Sequence, residues 1–356
     1  MLAVKEYTND HRHVWDTFVA AASDGSCFHR IGWKDAVESS FGHRSHYLMA
    51  MDGDDLRGVL PLFEVRSRLF GHSLVSVPFG VYGGIVAADR EAAAALRSSA
   101  ESLAERIGVD YLELRHWSSC HDGGTGPEEQ CASDGSRWHK KDLYVTFVKP
   151  ILPTVVDNMN AIPRKQRAMV RKGEKTGLIS RVGKLEDLER FYAIYARNVR
   201  DLGSPVYPLS FFRALMENFS DTFILSIWKD GAMVAGVLTF VHGTTLLPYY
   251  GGGLREYFDY AINDFMYWEL MRYGCEHGYG HFDFGRSKRD TGSYKFKKHW
   301  GFEPTPLDYE CYLVRATEMP NISPVNPKYE LMINVWKRLP LVVTNWLGPK
   351  LVRGIP

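Results

Sequence analysis

The feature that most constrains this chain is an internal repeat. Residues 211–240 (FFRALMENFSDTFILSIWKDGAMVAGVLTF) and residues 32–63 (GWKDAVESSFGHRSHYLMAMDGDDLRGVLPLF) share one order of helix, aromatic residue, strand, Asp-Gly turn and Gly-Val-Leu strand. Farther on, VPFGVYGGIV (77–86) is similar to LPYYGGGLRE (247–256), and each precedes a helix and a strand. Chance similarity of apolar patterns is the alternative. The matched turns, glycines and final strands favour a duplicated α/β domain.

Length and composition agree with two globular domains. The chain has 356 residues, of which 45% are hydrophobic and 13% aromatic, enough for two cores. The net charge of +1 excludes a whole-protein field that would attract nucleic acid or membrane. Five cysteines without a CxxC pair argue against a zinc site or a disulfide scaffold. The first residues show no signal-peptide core, and no apolar run reaches the ~20 residues of a membrane span. We therefore expect a cytoplasmic protein.

The stretch HFDFGRSKRDTGSYKFKKHWGFEP (281–304) combines several elements. Alternating Phe282 and Phe284 predict a strand. Thr291 or Ser293 is expected to cap a short helix that carries Phe296 and Trp300 on one face. Basic residues lie in the loop and on the helix, including Arg286, Lys288, Arg289, Lys297 and Lys298. The pattern predicts an anion site at the carboxyl end of a strand. A solvated basic helix packed by two aromatic residues is the alternative.

Two further stretches lie outside the repeat. Residues 161–184 carry eight basic residues and one acid, and Arg164, Arg167 and Arg171 are spaced to share one helix face. Such a face can bind a diphosphate or an RNA backbone, or it can simply be solvated. Near the C-terminus, 329–339 is expected to be a helix with one apolar face. That face contains Tyr329, Met332, Ile333 and Trp336. With its basic residues, the tail either lies on a membrane surface or packs against the protein.

The repeated module, ending in YKFKKHWGFEP, resembles the acyl-transferring GNAT fold. Two modules in tandem, with RKQRAMVRK leading into the second, resemble the FemAB family of peptidoglycan-bridge aminoacyltransferases, and more narrowly its members associated with exopolysaccharide and exosortase systems. The resemblance covers roughly residues 1–315. It predicts a mixed α/β (α+β) fold with central sheets flanked by helices. The expected organisation is a non-catalytic domain 1–150 that shapes the acceptor cleft, a catalytic domain 151–317 and an amphipathic tail 318–356.

The resemblance also implies roles for individual residues. Phe296 and Lys297 would contact the reacting carbonyl, and Arg200 in YARNVRDLG would bind the phosphates of the acceptor. Tyr249 or Tyr250 would line the site, and Lys34 is the match to a second phosphate-binding lysine. Gly251, Gly252 and Gly253 occupy the GNAT position for a CoA pyrophosphate, although the usual Arg/Gln-x-x-Gly-x-Gly order is missing. We also expect Arg164, Arg167, Arg171 and Arg286 to bind substrate.

The expected reaction is transfer of an acyl or aminoacyl group to an amine of a cell-envelope or exopolysaccharide precursor. The donor would be aminoacyl-tRNA or acyl-CoA, with no bound cofactor and no metal. A cation at Lys297 would stabilise the tetrahedral oxyanion, and Asp283 is one candidate base, or else a structural carboxylate. The competing hypothesis is a non-catalytic GNAT-fold protein that binds a nucleotide-sugar or a lipid-linked glycan. A cleft filled by side chains would favour that second hypothesis.

Overall fold

The computed structural model describes residues 1–117, 137–319 and 327–355. The strands in chain order are β1 Leu2–Glu6, β2 Arg44–Ser45, β3 Leu48–Asp52, β4 Asp55–Leu60, β5 Phe63–Ser67, β6 Gly71–Val75, β7 Val86–Ala87, β8 Tyr111–His116, β9 Trp138–Lys140, β10 Tyr144–Thr146, β11 Val148–Pro150, β12 Ile179–Gly183, β13 Phe223–Lys229, β14 Ala232–His242, β15 Thr245–Gly253, β16 His281–Asp283, β17 Ser287–Lys288, β18 Thr305–Pro306 and β19 Asp308–Leu313.

The α-helices lie between and after these strands. They are α1 Arg12–Ala21, α2 Ile31–Phe41, α3 Arg90–Ile107, α4 Val155–Ala161, α5 Arg164–Lys175, α6 Leu188–Leu202, α7 Leu209–Asn218, α8 Ile262–Glu276, α9 Gly292–His299, α10 Pro327–Trp336 and α11 Leu341–Val352. Mixed sheets flanked by helices confirm the predicted α/β fold class.

The chain forms two compact units, and each is discontinuous in sequence. The first contains Met1–Tyr144, Pro306–Ser323 and Arg353–Pro356, and the second contains Val145–Thr305 and Pro324–Val352. The units divide after Tyr144 and after Thr305, whereas the sequence predicts boundaries at 150 and 317. Strand β19 belongs to the first unit because it pairs antiparallel with both β8 and β9. The tail helices α10 and α11 belong to the second unit and are not a separate segment.

Both units contain the predicted hairpin, and both hairpins have the same irregularity. Strands β3 and β4 shift register two pairs from their turn, between Ala50 and Met51. Strands β13 and β14 shift at the same distance from their turn, between Ile227 and Trp228. Each unit then pairs two strands in parallel, β6 with β8 and β15 with β16. A bulge at one position in two hairpins supports the duplication predicted from the sequence.

The second unit is built on a six-stranded sheet of order β11-β16-β15-β14-β13-β12. Helix α6 packs on β14 and β15, while α8 packs on β13, β14 and β15. Fully buried aromatic residues, among them Phe282 and Trp300, form its core with aliphatic side chains of the sheet and α8. The first unit has a four-stranded sheet, β1-β3-β4-β7, and a six-stranded sheet, β2-β5-β6-β8-β19-β9.

Part of one predicted loop is a strand. The glycine- and serine-rich composition of 118–141 predicts an exposed loop. Residues 118–136 of this stretch lie outside the described part of the chain. Trp138–Lys140 instead forms β9, which pairs with Glu310–Tyr312 of β19. This pairing could not be predicted from the sequence, because β9 has only three residues and its partner strand is about 170 residues away.

Candidate functional site

The sheet of the second unit opens between β15 and β16. These parallel strands pair only at Thr245 with His281 and at Leu246 with Phe282. Beyond these pairs β15 continues to Gly253 along β14, whereas β16 ends at Asp283. From Leu247 onward the described ladder between β15 and β16 has ended, so main-chain groups of β15 face an opening in the sheet. Such an edge can hydrogen-bond an extended substrate.

The loop after β16 borders this opening, and Lys297 holds it in place. The Lys297 Nζ atom donates to the main-chain oxygens of Phe284, Gly285 and Arg286 at 2.7, 2.9 and 3.1 Å. These three bonds match the three hydrogens of an ammonium group. Thr291 caps α9 with its side chain, as predicted, and the side chain of Lys297 is only 8% exposed. Lys297 therefore fixes the loop and does not join the exposed cationic rim expected from the sequence.

The surroundings of Lys297 both lower and raise its pKa. Burial lowers the pKa of Lys297 to about 7, the nearby Asp283 carboxylate raises it, and Arg286 lowers it. The three carbonyl acceptors favour the ammonium form, because only that form donates to all of them. Its Nζ also lies 5.6 and 5.9 Å from the ring centroids of Phe147 and Phe284. The result is a buried cation directly behind the loop.

Asp283 shapes the same loop from the strand end. Its side chain is 2% exposed, and Oδ1 accepts a 2.7 Å hydrogen bond from the Gly285 main-chain N–H and a 3.4 Å bond from the Thr146 hydroxyl. Gly285 has φ of +65°, a conformation that glycine adopts without a steric cost. The sequence left open a catalytic base or a solvated structural carboxylate. The structure places a buried carboxylate here that stabilises the turn.

Tyr267 of α8 lies beside both edges of the opening, and sequence reasoning missed it. Its ring centroid is 4.8 Å from that of Phe284 and 5.6 Å from that of Phe296. On the other side, its hydroxyl lies 3.4 Å from where a Cβ on Gly251 would stand. Burial raises the pKa of Tyr267 to about 12, so the phenol stays protonated and can donate a hydrogen bond. In the sequence nothing distinguishes it from the core aromatic residues of the same helix.

Phe296 is half-buried, and it packs with its ring centroid 6.2 Å from that of Trp300, as the i, i+4 spacing predicts. It also contacts the aromatic group around Phe284, at 6.3 Å. Phe296 therefore forms part of the apolar wall beside the opening.

The three consecutive glycines are not a loop. Gly251, Gly252 and Gly253 are the last residues of β15 and pair with Ala235–Val237 of β14. A Cβ on Gly252 would lie 3.2 Å from the Tyr195 Cα of α6, so α6 can approach the strand closely only because glycine is there. The prediction of a loop at these glycines is therefore wrong, because they are strand residues against which helices of the second unit pack.

Tyr249 and Tyr250 lie at a bulge in β15. The register between β14 and β15 shifts here, since Leu238 pairs with Tyr250 and Thr239 pairs with Pro248. Tyr250 is buried against α6 and α7, with its ring centroid 4.9 Å from that of Phe212. Tyr249 is half-buried and lies between the two strand pairs at which the register shifts. Of the two tyrosines, Tyr249 is the one whose position suits contact with a ligand.

Two predicted phosphate-binding residues are engaged within the protein. Arg200 donates from Nε to Asp201 at 2.6 Å and from Nη1 to the main-chain oxygen of Leu339 at 2.9 Å. Arg200 thus fastens the tail to α6. In the first unit, Lys34 donates to Glu38 one helical turn away at 2.8 Å. Neither interaction points to an anion site.

The basic helix α5 is present, and its face is exposed. Arg164 and Arg171 are exposed, whereas Arg167 is half-buried and donates to Asn160 at 3.3 Å. Lys165, Lys172 and Lys175 add three exposed cations. The opposite face packs on α8, where Gly173 lies against Phe265. The structure therefore confirms a helix with one buried face and one cationic, solvent-facing side.

The corresponding place in the first unit is filled. Glu113 and Arg115 of β8 occupy the positions that Asp283 and Gly285 occupy in the repeat. Arg115 is 3% exposed, donates to Glu113 at 2.7 Å and reaches the main-chain oxygens of Val77 and Gly80 at 3.0 and 3.2 Å. An arginine side chain therefore takes the space that glycine leaves open in the second unit.

A second carboxylate near the site gives a pH prediction. Burial raises the pKa of Asp264 to about 6, although its Oδ1 accepts a 3.0 Å hydrogen bond from Trp300 Nε1. The folded state therefore binds this proton more tightly than the unfolded state, in which the pKa is 3.8. The stabilisation should be present below about pH 4 and lost as the pH rises to about 6, amounting to about 1–2 kcal/mol after solvent screening. Urea unfolding gives the free energy of unfolding at pH 4.5 and at pH 7.5. The difference between these two values should be smaller for Asp264→Asn than for the wild-type protein. An unchanged difference would contradict the assignment.

Among the described residues, no group of three or more His, Cys, Asp or Glu side chains is arranged to hold a metal ion. Likewise, no helix of the described ranges has the length and apolar character of a membrane span.

Comparison with protein families agrees with this fold. Residues 161–298 match the model of the family described as Acetyltransferase (GNAT) domain. The chain is 26% identical over 161 residues to the lipid II:glycine glycyltransferase of Staphylococcus epidermidis, covering 43% of this chain and 33% of that protein. It is 32% identical over 79 residues to the lipid II:glycine glycyltransferase of Staphylococcus aureus, covering 20% of this chain and 19% of that protein. The matches thus span a third or less of these relatives.

Comparison with solved structures extends over most of the chain. The crystal structure of FemX superposes with a TM-score of 0.67 at 16% identity, covering 93% of this chain and all of that chain. A tandem GNAT protein of the clavulanic acid biosynthesis pathway gives a TM-score of 0.55 at 12% identity, covering 89% of this chain and all of that one. These similarities show the fold: two GNAT-type domains in one chain.

Proposed function

Because this chain is a FemAB-like protein with two tandem GNAT-fold domains, we propose that it is an acyltransferase that moves an aminoacyl group to an amine of a peptidoglycan precursor. The observation that carries the proposal is the opening between β15 and β16, which Tyr267 adjoins and which the Lys297-anchored loop borders. The same place in the first unit is filled by Arg115, so we assign the reaction to the second unit.

The chemistry follows from the groups beside the opening. The amine nitrogen attacks the ester carbonyl of the donor, the carbonyl oxygen becomes negative, and the carbon–oxygen bond to the donor hydroxyl then breaks. The amine nitrogen loses one proton, and the departing alkoxide oxygen of the donor gains one and becomes a hydroxyl. A hydrogen-bond donor placed where this negative charge develops stabilises the transition state by about 3–4 kcal/mol. The Tyr267 hydroxyl is suited to that role, and the buried charge of Lys297 adds a favourable field from behind the loop.

The remaining predicted residues take supporting roles in this proposal. Phe296 forms the apolar wall, and Asp283 fixes the turn that presents Gly285. Tyr249 lines the opening from the side of β15. Arg200 and Lys34 are assigned to the structure of their own units, because their contacts are already to protein groups.

Aminoacyl-tRNA is the donor that the surroundings favour over acyl-CoA. The glycines that would cradle a CoA pyrophosphate are packed under α6 and α8, whereas α5 presents a run of exposed cations suited to a nucleic-acid backbone. Since aminoacyl-tRNA is a cytoplasmic molecule, the proposal places the reaction in the cytoplasm. The exopolysaccharide precursor expected from the narrower resemblance is the alternative acceptor.

The test is a transfer assay with each donor. The full-length protein is incubated with labelled aminoacyl-tRNA or acetyl-CoA and with a muramyl-pentapeptide precursor or an amino-sugar acceptor. We expect labelled product from aminoacyl-tRNA. Tyr267→Phe should lower kcat by about 100-fold. Tyr257→Phe, which removes the hydroxyl of a partly buried tyrosine in the segment after β15, serves as the control. Arg164→Glu with Arg171→Glu should raise KM for the tRNA and reduce its salt dependence.

A different result would identify the alternative function. If neither donor supports transfer, and native mass spectrometry of the protein purified without added ligand shows a bound nucleotide-sugar or lipid-linked glycan, the chain is a binding protein and not an acyltransferase.

A further inference from the structure

The tail helices α10 and α11 have outward faces that are apolar and exposed. On α10, Leu331 is 75% exposed, and Met332 and Val335 lie beside it at i+1 and i+4. On α11, Val342 is 82% exposed and Trp346, one turn on, is 65% exposed. Val343 completes this set. Two consecutive short helices thus expose six large apolar side chains, more than a water-soluble protein usually leaves uncovered in so short a segment.

The inward faces of the same helices are firmly attached to the second unit. Trp336 is 8% exposed and its Nε1 donates to the Ser204 oxygen at 3.0 Å. The Leu339 oxygen accepts from Arg200, and Gly348 lies against Val206. Ile333 packs near Gly203, at the end of α6. Of the apolar face predicted from the sequence, Ile333 and Trp336 therefore face the second unit, whereas Met332 is exposed. The side chain of Tyr329 lies outside the described residues. The outward face is a second apolar surface.

Charge distinguishes the partners that this second surface could accept. No acidic residue follows Glu330, whereas Lys337, Arg338 and Lys350 are all exposed. The Lys350 Nζ lies 3.6 Å from the ring centroid of Trp346, so a cation and an aromatic ring share one exposed site. Pairing of this face with a second copy would bring like charges together with no acid to neutralise them. An anionic surface has the complementary charge.

We infer that the outward faces of α10 and α11 form a docking surface for anionic phospholipid membranes, into which the apolar side chains insert while Lys337, Arg338 and Lys350 contact lipid phosphates. An apolar face with a tryptophan and basic flanks is the composition of a helix lying in a membrane interface. With 10 and 12 residues, the helices lie on the membrane and do not cross it. The inference does not depend on the transfer reaction.

The experiment is flotation of the full-length protein with vesicles of phosphatidylcholine alone or with 30% phosphatidylglycerol. We expect binding that requires the anionic lipid and weakens with salt. The triple variant Val342→Ser, Val343→Ser, Trp346→Ser should bind at least about tenfold more weakly, and so should Lys337→Glu with Arg338→Glu.

Matched controls separate the surface from general effects. Leu69→Ser removes an apolar side chain that is 67% exposed in the first unit, and Lys5→Glu with Arg106→Glu makes the same charge change elsewhere. Both should bind vesicles as wild type does, and all variants should melt within a few degrees of it, since the changed residues are exposed. Absent binding to anionic vesicles, or equal binding by the tail variants, would overturn the inference. So would a dimer in light scattering that the triple variant abolishes, since the occupant would then be a second copy.

Discussion

Lys297→Met is expected to reduce acyl transfer by about 100- to 1000-fold. Methionine has nearly the length of lysine but cannot donate the three hydrogen bonds that hold Phe284, Gly285 and Arg286. The loop beside the opening would lose its anchor, and the positive charge behind it would disappear. Loss of one group that stabilises the developing charge has an effect of this size.

The measurement is kcat for transfer from the donor identified in the assay, together with the melting temperature. Lys298→Met is the matched control, because Lys298 is the next residue on α9 and is exposed. It should retain wild-type activity. If Lys297→Met turns over near the wild-type rate, Lys297 has no part in the reaction. If it is inactive only because it is unfolded, the melting curve will show this, and Lys297→Arg, which keeps the charge, then becomes the informative variant.

Trp300→Ala is expected to lower the free energy of unfolding of the second unit by about 3–5 kcal/mol. Trp300 is completely buried, packs beside Phe284 and Phe296, and donates from Nε1 to Asp264. Alanine would leave a cavity where α9 meets the core and remove the partner of a half-buried carboxylate. Trp300→Phe keeps most of the apolar volume and loses only the hydrogen bond, so it should cost about 1–2 kcal/mol.

Urea unfolding followed by far-ultraviolet circular dichroism measures both variants. Because the chain has two compact units, the transition is analysed for more than one step. His299→Ala, an exposed neighbour on α9, should change the free energy by no more than about 0.5 kcal/mol. A midpoint for Trp300→Ala equal to that of His299→Ala would show that α9 contributes little to the core.

Several elements near the site could be predicted because their cause is local. The Thr291 cap and the shared face of Phe296 and Trp300 follow from neighbouring residues and helical spacing. The basic face of α5 was predicted for the same reason, from spacing three and four residues apart.

Contacts with residues far away in the chain were not predicted. A lysine in a basic cluster suggests exposure, yet Lys297 is buried because three main-chain oxygens of a loop 11–13 residues earlier surround its Nζ. The glycines of β15 suggested a phosphate loop, but the reason for glycine is the approach of α6 and α8 to the strand. Arg200 suggested a ligand, and its partner is Leu339, 139 residues later.

The sequence by itself determined that the chain repeats one α/β module, that a capped short helix carries Phe296 and Trp300 on one face, and which stretch contains the candidate site. These properties depend on periodicity, capping and turn residues, which act within a few residues. Only the tertiary structure decided that β15 and β16 separate after two pairs, that Tyr267 lies beside the opening and that Arg115 fills its counterpart. It also decided which face of each tail helix is outward. Strand pairing and burial depend on contacts between residues far apart in the chain, and the amino-acid pattern around any one of them does not specify its partner.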